Sequence, residues 1–415
     1  MLFVYRILIN FAVIISPIII IFRLFKKKED PKRFKEKFCI FSQKKPKGKV
    51  IWFHGSSVGE LLSIIPIIEK LENKKDINKI LITSSTLSSS LVLSKYKFKK
   101  TIHQFFPIDT NFFTNKFLKY WNPHVAIFIE SEIWPNMIDN IKKKSIPLVL
   151  LNARITKKSF KRWRLVSSLS INYFEKFNLC LPQNKETEKY LKLLGASKIK
   201  NSGNLKFSEL ENTNKDKLDK NLKNFFNSKK VWCASSTHHL EEIICAESHI
   251  EIKKKFPNLM TVIIPRHIQR ISKITKDLKK LNLNVHHHSS SVKPNKNTDI
   301  YLVDTYGETK KFFKVCKTVF LGGSIINHGG QNPLEAARIG CQIIYGPNIK
   351  NFKEIYGLLD KNNISFKIKN LSQLTNLLKK LINSNLKSNN KIDKLKKIGT
   401  KILQKNLNEL ENFLK

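Results

Sequence analysis

The sequence predicts an α/β protein with two doubly wound parallel sheets in tandem. Three observations carry this. Short β-branched and aromatic runs alternate with apolar residues at helical spacing through both halves of the chain. A charged segment poor in apolar residues separates the halves, and 415 residues exceed one ordinary core. Strands alternating with helices imply parallel sheets, and 41% hydrophobic residues can fill two of them.

Residues 1–30 read as a membrane anchor followed by a basic run. Ile7 to Phe22 carries no charge, is bracketed by Arg6 and Arg23, and precedes Lys26, Lys27 and Lys28. Those sixteen residues fall short of the roughly 20 that span a bilayer. Asn10, Ser16 and Pro17 weaken the segment further, and no small-residue cleavage site follows. The expectation is an uncleaved anchor, either a marginal span or a helix in the interface, with the lysines on anionic cytoplasmic headgroups.

Residues 31–207 form the first predicted sheet domain, with strands at Val50–Phe53, Ile80–Thr83, Val125–Ile129, Leu148–Leu151 and Leu179–Leu181. Its first unit is "VIWFHGSSVGELLSIIPIIEKL", Val50 to Leu71, a buried strand, a turn, and a helix with its stripe at Leu61, Ile64, Ile65, Ile68 and Leu71. With Ser57 as N-cap, Glu60 falls where a capping-box glutamate reaches back to the cap's own N–H. A carboxylate just past a strand end is equally placed for acid–base chemistry, and the residues alone leave both readings open.

Residues 208–230 read as a linker or surface helix. Residues 231–415 form the second domain, with strands at Val231–Ser235, Met260–Ile264, Ile300–Asp304, Val319–Leu321 and Gln342–Tyr345. Ligands of such folds sit beyond the carboxyl ends of strands, so the cleft between the domains is the expected site.

Lys and Arg number 76 against 32 Asp and Glu, a net charge of +44 that points to anionic partners. A surplus of Lys, Asn and Ile over Gly and Ala is also what an AT-rich genome imposes, so charge alone does not name the partner. The lysines are spread along the chain, and neither zinc-finger spacing nor an RNP-like aromatic motif occurs, which argues against nucleic acid. A membrane surface or an anionic small substrate suits the composition. Six cysteines lie far apart without a C-x-x-C pair and read as buried thiols in a reducing compartment. The His286-His287-His288 run adjoins a polar, loop-like stretch and reads as that, not as a metal site.

Polar residues cluster at the predicted strand ends. Arg266, in Pro265-Arg266-His267, suits a phosphate that it can grip bidentately. Gly329 to Glu335 reads as an Asn332 N-cap, Pro333 at the first helical position and Glu335 closing a cap box. Thr305 and Glu308 repeat that spacing, and glycines near these helix starts let backbone N–H groups approach an anion. Glu130 and Glu132, at a strand end, are expected on opposite faces, where they could not hold one ion without a bend. Lys206 follows a Gly-Asn-Leu turn near the domain junction.

Taken in order, "HGSSVGE", "ESEIWPN", "NAR", "GNLKF", "SSTH", "PRH", "DTYGE", "GGS" and "GGQNPLEAA" closely resemble the bacterial 3-deoxy-D-manno-octulosonic acid (Kdo) transferases over nearly the whole chain. The resemblance implies an inverting glycosyltransferase of the GT-B type, two Rossmann-like domains facing a cleft. It would move Kdo from CMP-Kdo to the tetraacylated lipid A precursor at the cytoplasmic face of the inner membrane, with no metal or other cofactor. It gives Glu60 the role of general base, and Glu130, Glu132 and Lys206 that of stabilising the transition state. Pro265, Arg266, Tyr306, Gly307, Glu308, Asn332, Pro333, Leu334 and Glu335 take the CMP-binding positions. The chain departs from the family where "GGHN" is "GGQN", "PRHPER" is "PRHIQR", and a glycine is replaced by Ser89 in "TSSTLSSS", which bears on the acceptor side. The alternatives are a GT-B transferase using another nucleotide sugar, or a basic membrane-associated binding protein without catalysis.

Overall fold

The structure, a computed structural model, describes residues 2–209, 218–383 and 389–414. The chain divides into two compact units, Met1–Leu210 with Ile398–Lys415, and Glu211–Lys397.

The first unit holds six parallel strands: β1 (Val50–His54), β2 (Lys79–Ser84), β3 (Thr101–Phe105), β4 (Val125–Ile129), β5 (Leu148–Ala153) and β6 (Leu179–Pro182). Their order across the sheet is β3-β2-β1-β4-β5-β6. Helices cover both faces, which is why the central strands are apolar without alternation. Trp52, Ala126, Phe128 and Leu150 fill one face, while Ile51, Phe53, Ile127, Ile129 and Val149 fill the other. The expected stripe of the helix Val58–Glu72 (Leu61, Ile64, Ile65, Ile68, Leu71) packs on that second face.

The second unit holds β7 (Lys230–Thr237), β8 (Leu259–Pro265), β9 (Val285–His287), β10 (Ile300–Leu302), β11 (Thr318–Leu321), β12 (Gln342–Tyr345) and β13 (Ser365–Lys367). They are parallel, in the order β13-β12-β11-β7-β8-β10-β9. Both units therefore have the doubly wound architecture expected of the sequence.

Four differences from the sequence reading have physical causes. The strands it lacks, β3, β9 and β13, lie at sheet edges, where one flank stays solvated and the apolar run is broken ("TIHQF", "VHH", "SFK"). The His286 run thus lies largely in an edge strand. In the expected linker, residues 210–217 lie outside the described residues. Its remainder includes the helix Lys220–Asn227, whose buried Phe226 packs on Tyr301 and Phe312 within the second unit.

The second domain does not run to the C-terminus, because Ile398–Lys415 belongs to the first unit. The helix Asn389–Leu414 supplies Leu407, Leu410 and Leu414 to the core beneath β1, β4 and β5. Asn406 Oδ1 accepts from Ser202 Oγ at 2.8 Å, and the Leu414 carbonyl accepts from Lys49 Nζ at 2.8 Å. Finally, the N-terminal apolar segment is one helix, Leu2–Phe25, with both bracketing arginines inside it. It is long and apolar enough to cross a membrane by length and composition, with a hydropathy of 2.5.

Leu410 is fully buried although it lies two hundred residues beyond the first unit's last strand. Leu410→Ala should destabilise the first unit by about 2–5 kcal/mol, read from chemical denaturation followed by tryptophan fluorescence. A loss under about 1 kcal/mol would show that the C-terminal helix is an ornament of that unit and not part of its core.

Candidate active site

In the first sheet the chain runs outward from β1 through β2 to β3, then returns to β4 and runs the other way. β1 and β4 are therefore the neighbours at which strand order reverses, and loops leaving their carboxyl ends part to open a crevice. The loop after β1 carries His54 to Glu60, and the loop after β4 carries Glu130 to Trp134. Gly55 permits the close approach: a Cβ there would meet Ile129 Cδ1 at 3.0 Å and Glu60 Cβ at 3.2 Å.

Glu132 Oε2 joins the two loops. It accepts from Ser56 Oγ at 2.7 Å and Trp134 Nε1 at 2.7 Å, and lies 3.1 Å from His54 Nε2. The buried His54 ring stacks on Phe106, and its Nδ1 is 2.9 Å from Thr83 Oγ1, which in turn accepts from Trp52 Nε1. A carboxylate only accepts, so the bond at Nε2 has that nitrogen donating to Glu132. Burial alone would raise the pKa of Glu132, but His54, Ser56 and Trp134 outweigh it and hold the carboxylate below its usual range.

β4 stops at Ile129, and Glu130 adopts a left-handed backbone (φ 57°) that supplies the bend a straight strand lacks. The expectation of opposite faces is corrected: positions two apart along a strand share a face, and both Glu130 and Glu132 lie near enough to Glu60 for their charges to act on it. The Glu130 carboxylate, 5% exposed, pairs with Lys206 Nζ at 2.5 Å. Asn204 Oδ1 accepts from the Lys206 N–H at 3.0 Å and Asn152 Oδ1 from the Leu205 N–H at 3.1 Å, so two asparagines fix the turn that presents the lysine.

Glu60 does close the capping box. Its Oε2 accepts from the N–H groups of Ser56 (2.7 Å) and Ser57 (3.3 Å), and its own N–H reaches Ser57 Oγ at 3.3 Å. Among the described residues both bonds to its carboxylate fall on Oε2, which leaves Oε1 to accept a proton. Burial first, then the charge of Glu132 and more weakly that of Glu130, raise its pKa above the ordinary glutamate value. Two neighbouring carboxylates are thus driven in opposite directions. Ser89, where the family has glycine, is buried and donates to the Ser56 carbonyl at 3.2 Å, bracing the same loop.

In the second unit strand order reverses between β7 and β11, and Glu241 joins their loops. Its buried carboxylate accepts from the N–H groups of His238 (3.0 Å), Gly323 (2.7 Å), Ser324 (3.1 Å) and Ile325 (3.1 Å). Gly322 passes so close that a Cβ would lie 2.5 Å from the Ser236 carbonyl. Glu242 grips Arg270 bidentately, at 2.9 and 3.0 Å, and accepts from Thr237 Oγ1 at 3.0 Å. Burial and then the neighbouring His328, His267, Arg270 and Arg266 push His238 down to about 4, so these side chains, two of them arginines, converge around its ring. That surface is receptive to an anion. His54 lies inside a quoted motif and Glu241 and Glu242 just beyond one, but nothing in the sequence marks them as connectors, since their partners lie far along the chain.

The other expected residues take these places. Pro265 ends β8, and Arg266 is exposed, with its N–H on the Thr237 carbonyl at 3.0 Å. Tyr306 is 63% exposed, Gly307 has φ 86°, and Glu308 pairs with Lys311 at 2.8 Å. Lys310 lies 3.7 Å from Glu335, which sets the Tyr306–Glu308 turn beside the helix Leu334–Ile339. The cap boxes expected here do not form. The helix starts after Pro333, with Asn332 Oδ1 accepting from the Leu334 N–H at 3.1 Å, and Glu308 itself precedes its helix without a side-chain cap. Both helices begin later than expected, with Glu308 and Pro333 themselves at the cap positions, so neither Thr305 with Glu308 nor Asn332 with Glu335 has the cap-to-third-residue spacing that Ser57 and Glu60 have. Gln331 lies over Gly323, within 3.4 Å of where a Cβ would be.

A family model described as 3-Deoxy-D-manno-octulosonic-acid transferase (kdotransferase) matches residues 32–209. The chain is 36% identical over 337 residues to the 3-deoxy-D-manno-octulosonic acid transferase of Rickettsia prowazekii, covering 81% of this chain and 72% of that one. For the enzyme of Rickettsia bellii the identity is 32% over 398 residues, covering 96% and 94%. For that of Haemophilus influenzae it is 28%, covering 89% and 86%. Among solved structures, the UDP-GlcNAc 2-epimerase of Neisseria meningitidis, bound to UDP-GlcNAc, matches with a TM-score of 0.55 at 16% identity, covering 86% of this chain and all of that one. A further UDP-N-acetylglucosamine 2-epimerase gives 0.57 at 13%, covering 89% and 96%. At such identities the likeness is one of fold, the paired Rossmann-like units of the GT-B type. The near end-to-end match to the Rickettsia enzymes goes further, and the chain belongs to the 3-deoxy-D-manno-octulosonic acid (Kdo) transferases, glycosyltransferases of lipopolysaccharide synthesis.

Proposed function

We propose that the protein transfers Kdo from CMP-Kdo to the tetraacylated lipid A precursor with inversion, while attached to the cytoplasmic face of the inner membrane. The observation that carries the reading is the Glu60 carboxyl, poised by burial and by two neighbouring carboxylates at the strand-order reversal. Glu60 Oε1 takes the proton of the acceptor hydroxyl as that oxygen bonds to the anomeric carbon. The bond from that carbon to the phosphate oxygen of CMP breaks, and its electron pair leaves with the nucleotide. A raised pKa makes Glu60 a stronger base than a solvated glutamate, and the cap holds the carboxylate in one orientation.

Lys206, paired with Glu130, and the acidic strand end are placed to steady the charge that develops during transfer, with Glu132 ordering the loops around them. CMP belongs with the second unit, at Pro265 and Arg266, Tyr306 to Glu308 and Asn332 to Glu335. The guanidinium groups of Arg266 and Arg270, both close enough to His238 to act on it, support a phosphate there. The N-terminal helix and the lysines after it support attachment to an anionic membrane.

Purified protein given CMP-Kdo, generated in place, and the lipid A precursor should yield a product one or more Kdo masses heavier. Turnover with UDP-sugars alone would replace the donor assignment, and absence of cytidine-nucleotide binding would end the catalytic reading.

Glu60→Gln separates the base from the cap. Glutamine still offers a side-chain oxygen to the Ser56 and Ser57 N–H groups. A carboxyl whose folded pKa is raised binds its proton more tightly in the folded state. The stability this confers is present below its ordinary pKa and lost as pH rises through the raised one. At neutral pH the variant should therefore match or exceed the wild type in stability, while transfer falls by about a hundredfold or more. Substantial transfer by the folded variant would return Glu60 to the role of a cap. In the wild type the acid limb of kcat/KM should lie above the usual glutamate range, because the base works only when ionised.

Arg266 is exposed and has no packing role. Arg266→Ala should leave stability unchanged and weaken CMP binding by about 1.5–3 kcal/mol, the worth of one charge-assisted contact. Unaltered nucleotide affinity, measured by calorimetry, would remove Arg266 from the site.

A further inference from the structure

Length and hydropathy alone make the helix Leu2–Phe25 a membrane span, but its contacts do not. We propose that it lies flat in the interface of an anionic bilayer, held along its length to the first unit, an inference that rests on the membrane attachment read above.

The start of the helix is clasped to the first unit by polar side chains. Tyr5 OH donates to Asp109 Oδ2 at 2.6 Å, Arg6 Nε to Asn136 Oδ1 at 2.9 Å, and Arg6 Nη2 to Asp139 Oδ2 at 3.2 Å. Asp109 is itself fixed by the N–H groups of Asn136 (3.0 Å) and Met137 (2.8 Å), and Asp139 also takes Lys176 Nζ at 2.7 Å. The end of the helix is clasped as well: Arg23 Nε donates at 2.6 Å to the buried Glu29, which also accepts from Lys37 Nζ at 2.7 Å. Between the clasps Ile9, Val13 and Ser16 are half-buried and Ile20 is 6% exposed, a stripe at helical spacing turned toward the protein.

Tyr5 and Arg23 are eighteen residues apart, about 27 Å along a helix axis at 1.5 Å per residue. Upright, that length crosses nearly the whole hydrocarbon core of about 30 Å. With Arg23 at the near interface, Asp109, Asn136, Asp139 and Lys176 would then be drawn to the far side of the bilayer with the helix start, together with the strands behind them. Charged groups of a folded domain resist such transfer strongly. Lying flat, the helix keeps every clasp on the aqueous side.

The opposite face supplies the occupant. Phe3, Leu8, Phe11, Ile18, Phe22 and Phe25 are 57–83% exposed and run the length of the helix. An apolar face of that extent, followed by Lys26 to Lys28, suits immersion to the headgroup boundary of an anionic membrane. The element beside the first clasp has the same character. Lys176 and Tyr173 belong to the segment that follows Leu165, which is 83% exposed and flanked by Lys161, Arg162 and Arg164.

The test is the depth of nitroxide labels in the full chain on phosphatidylethanolamine–phosphatidylglycerol vesicles. Single cysteines would replace Leu8, Phe11, Ile14, Ile18 and Phe22; the six native cysteines are buried. Relative collision rates with oxygen and a nickel chelate should place all five at one shallow depth, within about 10 Å of the headgroups. Depth that rises to the bilayer centre near residue 14 and falls toward residues 8 and 22 would establish a span and overturn the proposal. Protein that fails to sediment with the vesicles would instead overturn the attachment on which it rests. Releasing the clasp with Tyr5→Phe and Arg6→Ala should deepen the labels at 8 and 11 but not at 22; an unchanged profile would deny the clasp its part in setting the orientation.

Discussion

One carboxylate oxygen, Glu132 Oε2, gathers His54, Ser56 and Trp134 from the loops of two neighbouring strands, and the candidate site of the first unit is built around it. A parallel sheet creates the need for such a joint. Its ladder hydrogen bonds stop where the strands stop, and loops parting in opposite directions at a reversal of strand order share no ladder of their own. A buried acidic group meets the need because a carboxylate accepts several donors at once, each stronger for its charge. The second unit meets it in the same way, with Glu241 collecting four backbone N–H groups across the β7–β11 reversal. In both cases the connector is anionic while the ligand to be held is anionic too. The connector's charge must therefore be consumed by its own donors, and the lowered pKa of Glu132 records that it is.

Glu60 shows the opposite balance. It shares its neighbourhood with Glu130 and Glu132, it is partly withdrawn from water, and its two hydrogen bonds do not offset that environment. Beside it Glu130 holds a left-handed backbone that is costly for a residue with a side chain. A sequence selected for stability alone would relax each of these features. Their concentration in two adjoining loops agrees with the catalytic role proposed for Glu60, and the capping box fixes where its carboxylate points.

The central strands were legible because both faces of a parallel sheet are covered, so burial writes an unbroken apolar run: "VIWF" and "VAIFI" admit no other reading. The edges were not, since β9 is "VHH" and β13 is "SFK". The ownership of the last helix was hidden for a different reason. Leu407, Leu410 and Leu414 show an amphipathic stripe, but a stripe does not say which core it fills. Motif order named most of the residues at the strand ends, whereas the couplings His54 with Glu132, Lys206 with Glu130 and Glu241 with Gly323 join positions 76 to 82 apart in the chain and follow only from the fold.

The charge excess gains meaning once the acids are located. Glu29, Glu36, Asp109, Glu130, Glu132, Asp139, Glu241, Glu242 and Asp299 are largely withdrawn from solvent, and each is satisfied by a cation, a hydroxyl, an indole or backbone N–H groups. A good share of the 32 acidic residues thus serves as internal ties, while most lysines remain in water. The potential seen by an approaching ligand is more positive than an even scatter of the same residues would give. Such a field draws phosphates and carboxylates from beyond contact distance and fades within about 8 Å at physiological salt. It cannot tell one anion from another. On the proposed reading, discrimination falls to the few fixed groups at the strand ends, where Glu130 holds Lys206 and Glu241 holds the Gly323–Ile325 turn.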